Sequence, residues 1–572
     1  MDITFNIGGE AGQGIDTIGD LLTQVFVKSG FYTFTIKDFE SRIRGGYNFS
    51  QIRVSDSPVH APVDDIDIVV ALSRDAISNK RPQLTEGGVI IFEKNIDFDA
   101  LDACHYPASL IQTSKDVGGN VRMANAAALG AVLSILKYPF TLAEEALGGI
   151  FERKGQKVVA ANVEVAKVMY DKTTDEWQGE CKHDLAAAKK GPCKDRLVLT
   201  GNRALALGAK AANLKWTSAY PMSPSSSCFH DIVADAHRLT IGAIQTEDEI
   251  SSICMAVGAS FAGARSMVTT SGGGFSLMVE GLGLAAMTEV PVVIFNAQRP
   301  GPSTGLPTRT EQADLLFMLT ASQGEFPRIM LAPKDPLEAF EIAHRALNLA
   351  DMFQIPVMIL GDQYFSDSSM NVPRIDVSKV RIDRGQLASE ASTEPYLRYR
   401  LKEDGISPRA FPGDVGKVVV SSGNVHREDG HITEDPEVRN SMVEKSLNKI
   451  PHILRALQEP TIFGGRGAST TLLTWGSTWG AAFEAMSILS EKGVSINQLH
   501  FSDVYPLRTE VLQEVFSEAK NVVAVEQNAT SQFAKLVRME TGLAVDFHVN
   551  KYDGRPMTAT FIVKHLKGAG IV

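Results

Sequence analysis

The sequence is poor in the features that mark metalloproteins, secreted proteins and nucleic-acid binders. Its five cysteines, Cys104, Cys181, Cys193, Cys228 and Cys254, are scattered over 572 residues and form no Cys-x-x-Cys pair. That argues against a disulfide framework, a zinc site or an iron–sulfur cluster held by this chain. No apolar run reaches the roughly eighteen residues of a spanning helix. The opening stretch, MDITFNIGGEAGQG, lacks the basic-then-apolar build of a signal peptide. A soluble cytoplasmic protein is expected. Positive charge is in deficit, with 56 Lys and Arg against 67 Asp and Glu, a net charge of −11. With no basic stripe to offset it, a nucleic-acid partner is not expected.

What is present is the composition of a globular protein, 44% apolar, in a chain long enough for roughly three or four domains. Residues 3–8 read as a strand. Gly8, Gly9, Gly12 and Gly14 then make a tight turn, and Ile15 to Lys28 has helical spacing. Free amides at such an elbow can cradle a phosphate, and a close-packed turn without a ligand fits the same residues. Ser41 to Ser50 places Arg42 and Arg44 before a glycine pair. Strand-like runs at Asp67–Leu72 and Gly88–Phe92 and an alanine-rich helix at Met123–Leu136 complete a pattern expected to give a parallel α/β domain over 1–170. The polar, unpatterned stretch 171–196 reads as a linker.

The alternation restarts at Leu197–Thr200 and continues to about residue 370. Trp216–Tyr220 leads into Pro221-Met-Ser-Pro-Ser-Ser-Ser227, where prolines fix the backbone. The serines there offer hydroxyls to a ligand or cap the next helix. Ile241–Thr246 ends in Thr246-Glu-Asp-Glu249. Thr246-x-x-Glu249 fits a capping box. Alternatively, a carboxylate at the start of the small-residue helix Ile250–Ala264, expected to be mostly buried, would have a raised pKa and could share a proton. Met267–Thr270 is followed by Ser271-Gly-Gly-Gly274, a backbone nest. Pro291–Phe295 reads as a buried strand, and QRPGPSTGLPTRTEQADL (298–315) as the loop after it. Its two guanidiniums, Arg299 and Arg309, and its hydroxyls, Ser303, Thr304, Thr308 and Thr310, suit a carboxylate or phosphate. A surface loop with solvated arginines fits as well.

Residues 371–465 read as a connecting region of prolines, charges and short runs. His426, Asp429 and His431 lie close in sequence but lack a fixed metal-ligand spacing, so a solvated loop is expected. Residues 466–572 give a last α/β unit: strand Thr471–Trp475, helix Trp479–Glu491, strands Val494–Leu499 and Asn521–Val525.

The motifs YPMSPSS (220–226), EDEISSICMAVGASFAGAR (247–265) and QRPGPSTGLPT (298–308), with Gly8–Gly14 and Arg42–Tyr47, resemble the 2-oxoacid:ferredoxin oxidoreductases. The resemblance is to a large subunit with gamma and alpha parts fused, of the 2-oxoglutarate type, and covers nearly the whole chain. It implies a multidomain α/β fold: a gamma-type domain, a doubly wound domain holding the pyrimidine of thiamine diphosphate, and a transketolase C-terminal-like domain. It implies that Glu249, rather than Glu247, activates the cofactor, with Pro221 and Ser223 in the cofactor site. It implies that Arg299 meets the substrate carboxylate and that Ser223 and Thr308 bond the 2-oxo acid. Met222-Ser223 stands where the family more often has Ile-Thr. No Gly-Asp-Gly with a later asparagine pair is present for diphosphate and magnesium. The resemblance therefore implies a beta subunit carrying Mg²⁺ and a [4Fe–4S] cluster, in a dimer of heterodimers, with ferredoxin as acceptor and coenzyme A as co-substrate. 2-Oxoglutarate is the expected substrate and pyruvate the alternative. A non-catalytic nucleotide-binding assembly subunit is the reading from another class.

Overall fold

A computed structural model describes residues 1–41, 45–98, 104–186, 193, 195–389 and 395–572. The chain forms two compact units. The first is Met1–Leu199 with Ser368–Arg374 and Thr558–Thr560, and the second takes the rest. Among the described residues no helix is long and apolar enough to cross a membrane.

The first unit is built on an eight-stranded sheet. Its order is His105–Ala108, Leu84–Glu93, Ile66–Ala71, Asp2–Ala11, Gly45–Ser55, Tyr32–Asp38, Ser369–Pro373, Arg196–Thr200. The first four are mutually parallel, but Gly45–Ser55 runs antiparallel to both its neighbours. The wholly parallel sheet expected here is thus half antiparallel. The connection after Tyr32–Asp38 is too short for a helical crossover, so the chain can only turn back. Arg42 and Arg44 of the arginine–glycine motif lie outside the described residues. The helix Ala124–Ile135 is buried on nearly every side. A methyl at Gly130 would lie 2.1 Å from the Ala166 carbonyl, so only glycine lets the helix Gln156–Glu176 approach. The stretch expected as a linker stays on this unit as far as Leu185. The helix runs through it to Glu176, Lys182 Nζ lies 2.6 Å from buried Asp67, and Leu185 joins the core.

The second unit contains a seven-stranded sheet in the order Asp503–Tyr505, Ile329–Leu331, Pro356–Asp362, Val292–Gln298, Ser266–Thr270, Trp216–Ala219, Gly242–Gln245. All are parallel except the edge strand Asp503–Tyr505. A five-stranded sheet follows: Thr461–Phe463, Ile496–Phe501, Thr470–Trp475, Asn521–Glu526, Phe547–Asn550. One core joins the layers, with Trp475, Phe501 and Phe533 packed with Phe275 and Met278. Their near-continuous apolar strands are those of sheets covered on both faces.

The connecting region is not a solvated loop. Helices Pro436–Leu447 and Ile450–Ala456 lie in it. Lys445 and Lys449, each 1% exposed at the side chain, close on Glu289 at 2.5 and 3.0 Å. His426 is buried, tilted against Tyr399 with ring centroids 3.9 Å apart, and its Nδ1 is hydrogen-bonded to the Asn424 carbonyl. Helix Pro436–Leu447 has no apolar stripe, so its periodicity was invisible; buried ion pairs fix it instead.

Candidate active site

In open α/β sheets, ligands sit beyond the carboxyl ends of the parallel strands. Four loops of the second unit meet there. Strand Gly242–Gln245 leads to Glu249, Trp216–Ala219 to Pro221–Ser227, Ser266–Thr270 to Ser271–Gly274, and Val292–Gln298 to the Arg299 loop.

Glu249 is the first residue of helix Glu249–Phe261. The capping box does not form. Asp248 is the N-cap, accepting from Ser251 N at 2.7 Å, and the Thr246 hydroxyl is turned to the Asp248 carbonyl. Glu249 is therefore free of capping duty. It is 3% exposed, and its Oε1 has no hydrogen-bond partner. Burial pushes its carboxyl above the ordinary range, and the adjacent Asp248 charge adds to the rise. Its helix is not mostly buried as expected. Ile250 and Met255 are 50% and 41% exposed, and Cys254 is exposed too. Small residues go all round this helix, so they did not reveal which face packs.

The start of helix Gly272–Met287 holds the loops together. A methyl at Gly274 would lie 2.5 Å from Glu249 Oε1, one at Gly272 2.5 Å from Asp314 Oδ2, and one at Gly273 3.6 Å from the Ser303 carbonyl. Glu249, Asp314 and the Arg299 loop thus surround one helix start, whose amide end favours anions. Around it Ser271 Oγ and Asn296 Oδ1, like Glu249 Oε1, are buried without a protein partner. Buried orphans of this kind mark a place for a polar ligand.

Arg299 is half-buried and donates from Nη1 to the Ser223 carbonyl at 2.6 Å. Burial weakens its hold on its proton, and the Asp314 charge opposes this. Ser223 and Pro221 are exposed. The serines do not cap helix Ser226–Val233 with side chains; Ser225 instead donates to the Met222 carbonyl at 2.8 Å. Thr308 stands further along the loop, half-buried, its carbonyl accepting from Arg309 Nη1 at 3.2 Å. Arg309 packs on Gly554, where a methyl would lie 3.1 Å from its Cβ, so the two guanidiniums of the loop are anchored at different places.

Sequence reasoning missed Asp314, Asn296 and Asp362. Asn296 Nδ2 donates to Asp314 Oδ2 at 2.9 Å, and Asp314 N donates to Gln298 Oε1 at 3.0 Å. Asp314 was within the quoted loop motif, but nothing in its spacing separated it from a solvated acid. Asp362 is fully buried at the end of strand Pro356–Asp362, where it accepts from Phe365 N at 2.7 Å and from Ser477 Oγ. Burial pushes its carboxyl up to about 6, against the pull of these bonds and of Thr310. Below 6 the folded chain holds a proton that the unfolded chain gives up, so acidification stabilises the fold at this site. The unfolding free energy of wild type relative to Asp362→Asn should therefore rise by up to about 3 kcal/mol as pH falls from 7.5 to 4. Urea unfolding of both proteins across that range measures it, and a constant difference would refute it.

A parallel α/β unit with a buried acid, a guanidinium and a helix start converging on its carboxyl edge has the build of a cofactor-dependent enzyme acting on an anionic substrate. Comparison with known proteins gives the family. The family model described as "Pyruvate ferredoxin/flavodoxin oxidoreductase" matches residues 4–171. The one described as "Pyruvate flavodoxin/ferredoxin oxidoreductase, thiamine diP-bdg" matches 207–445. The chain is 30% identical to a 2-oxoacid:ferredoxin oxidoreductase subunit alpha of Sulfolobus sp, over 97% of this chain and 95% of that one. It is 28% identical to the 2-oxoglutarate oxidoreductase subunit KorA of Mycobacterium tuberculosis, over 94% and 87%. A solved 2-oxoglutarate:ferredoxin oxidoreductase from Magnetococcus marinus, with 2-oxoglutarate, coenzyme A and succinyl-CoA bound, superposes with a TM-score of 0.90. That match has 30% identity and covers 99% of each chain. The chain belongs to the 2-oxoacid:ferredoxin oxidoreductase family, on the side of its alpha subunits.

Proposed function

We propose that this chain is the fused gamma/alpha subunit of a thiamine-diphosphate-dependent 2-oxoglutarate:ferredoxin oxidoreductase. With a beta subunit it converts 2-oxoglutarate and coenzyme A to succinyl-CoA and CO₂, reducing ferredoxin. In this reading residues 1–170 are the gamma-type part, 197–370 hold the aminopyrimidine, and 466–572 are the transketolase C-terminal-like part. The observation that carries it is the end-to-end match to a 2-oxoglutarate:ferredoxin oxidoreductase.

The residues present fit the cofactor. Glu249 Oε1 is a buried acceptor with no protein partner, in a site walled by a glycine-only helix start. Thiamine diphosphate, when bound, supplies a carbon nucleophile for the 2-oxo group and a sink for the electron pair that CO₂ leaves behind. Glu249 holds a proton at its carboxyl and shares it with the aminopyrimidine ring, and burial, which disfavours its charged form, favours keeping that proton. Pro221 and Ser223 wall the same site. Arg299 binds the substrate carboxylate, held toward it by the Ser223 carbonyl. The Ser223 and Thr308 hydroxyls bond the 2-oxo acid. Mg²⁺, the diphosphate and a [4Fe–4S] cluster are assigned to the beta subunit, in a dimer of heterodimers.

Coenzyme A is assigned to the first unit, in a cleft of about 610 Å³ at the glycine elbow. Gly12 and Gly14 have φ of 92° and 84°, and Arg122, Lys154 and Asn125 line the cleft. Amides and cations there suit the phosphates of coenzyme A. The double variant Arg122→Ala/Lys154→Ala should raise the KM for coenzyme A about tenfold or more, with the 2-oxo acid KM unchanged. An unchanged coenzyme A KM would move that assignment elsewhere.

The function is tested by coexpressing the chain with its partner and following reduction of a viologen dye. Thiamine- and coenzyme A-dependent reduction with 2-oxoglutarate is expected. Faster turnover of pyruvate would shift the substrate, and no reduction with any 2-oxo acid would sink the reading.

A further inference from the structure

In the five-stranded sheet the chain passes from Thr470–Trp475 to Ile496–Phe501 on one side. It then crosses to Asn521–Glu526 on the other side and continues outward to Phe547–Asn550. These four strands are parallel, so their order reverses between Thr470–Trp475 and Asn521–Glu526. The crevice beyond the carboxyl ends of two such strands is where an open α/β sheet takes a ligand. Here the chain itself fills it. The Glu526 carboxylate accepts from the amides of Phe533 and Ala534, at 2.9 and 3.0 Å, and so occupies the anion place at the start of helix Gln532–Thr541. Between the two strand ends lies buried Gln312, from the loop that bears Arg299. Its Nε2 donates to the Trp475 carbonyl and its Oε1 accepts from Gln527 N, both at 3.1 Å. Its backbone is held as well. The Gln312 amide donates to the Gln527 carbonyl at 2.7 Å, and its carbonyl accepts from Asn528 Nδ2 at 3.1 Å. Thr310 N reaches the Gly554 carbonyl at 3.2 Å, and Gln532 Nε2 the Ala313 carbonyl at 2.7 Å. A methyl at Gly476, whose φ is 55°, would lie 3.2 Å from Gln312 Nε2, so the turn after Trp475 leaves room for that amide.

We propose that Gln312 is a positioning residue for the 2-oxo acid: seated between two strand ends of the C-terminal sheet, it clamps the substrate loop in its binding shape. This rests on the reading of that loop as the one that binds the 2-oxo acid. The loop has no regular structure of its own between strand Val292–Gln298 and helix Leu315–Thr320. Its tip, 301–306, is exposed and gains little from burial, so its shape depends on how its two ends are fastened. One end leaves the strand directly at Gln298. The other end is the segment that Gln312 pins, four residues beyond Thr308. Without the clamp the loop would divide its time among several shapes, and the 2-oxo acid would bind only the fraction in the right one. Apparent affinity falls by that fraction. The saturated enzyme, by contrast, has the loop in its binding shape and turns over at nearly the same rate.

Gln312→Met keeps the length of the side chain and removes both of its hydrogen bonds. In the complex with the partner subunit it should raise the KM for 2-oxoglutarate about tenfold, the scale of leaving buried polar groups unpartnered. The kcat should stay within about threefold of wild type and the coenzyme A KM within about twofold. Hydrogen exchange of the amides in 299–315 should quicken about tenfold in the same variant. Thr471→Val is the control. It removes a buried hydrogen bond, 2.6 Å long, to Asn497 Oδ1 near the opposite end of the strand that Trp475 closes. It should leave both KM values within about twofold of wild type. If Gln312→Met does not accumulate, Gly476→Ala is measured the same way, since its methyl would press on Gln312 Nε2 from the other side. A 2-oxoglutarate KM within about twofold of wild type, unaltered exchange in 299–315, or an equal rise of KM in Thr471→Val overturns the proposal. Arg299→Ala separates the clamp from the assignment of the loop. If Arg299→Ala raises the 2-oxo acid KM and Gln312→Met does not, only the clamp has failed. If neither raises it, the loop does not bind the 2-oxo acid.

Discussion

Glu249→Gln should reduce 2-oxo-acid-dependent dye reduction at least a hundredfold, the usual scale for a lost proton-transfer group. Glutamine keeps the volume of the side chain, so the fit against Gly274 survives. What it cannot do is give up and regain a proton at the position of Oε1. The substitution should leave the fold intact, because that oxygen makes no bond to the protein. Removing an acid whose ionisation burial disfavours relieves a cost rather than adding one. The unfolding temperature should therefore stay level or rise while turnover collapses, which separates a chemical role from a structural one. Glu247→Gln is the internal control. Glu247 is exposed, two residues away, and its loss should change turnover less than twofold. More than about a tenth of wild-type turnover in Glu249→Gln would remove Glu249 from its role.

The elements were legible wherever local pattern and packing agree. Helix Trp479–Glu491 has the bounds its spacing gives, and the strand expected at Pro291–Phe295 is Val292–Gln298. The failures share a physical cause, which is that the deciding interaction lies far away in sequence. Gly45–Ser55 was obscured because its glycines and tyrosine read as a motif; its place in the sheet is set by strands on both sides. Helix Pro436–Leu447 has no apolar periodicity, and its anchor is Glu289, 156 residues from Lys445. The acids and cations of the site were legible as chemistry but not as geometry. Nothing near Ser223 indicates that its carbonyl receives Arg299 from 76 residues away, or that Asp362 meets Ser477 across 115. Motif order placed Glu249 and Arg299 at the carboxyl edge of one sheet, as parallel topology requires. The glycine start that joins them emerged only from the packing at Gly272 and Gly274.

Arg299→Ala should raise the KM for the 2-oxo acid by a factor on the order of a hundred, within the range for truncating one partner of a partly buried charge pair. Two losses add. The fork-shaped donor that grips a carboxylate is gone, and the Asp314 carboxylate at the same helix start loses the opposing charge that acts on it. Arg299→Lys should recover only part, because a single ammonium cannot both donate to the Ser223 carbonyl and present two parallel donors to a carboxylate. Steady-state kinetics with the 2-oxo acid and coenzyme A varied separately measure this, and the coenzyme A KM should hold within about twofold. The double variant Arg299→Ala/Asp314→Asn decides whether the two losses are coupled. With Asp314 neutral, that unopposed charge is gone too, and the double variant should bind the 2-oxo acid better than Arg299→Ala alone. A 2-oxo acid KM within threefold of wild type in Arg299→Ala would mean that the carboxylate is bound elsewhere. Strict additivity in the cycle would mean that Arg299 and Asp314 act independently.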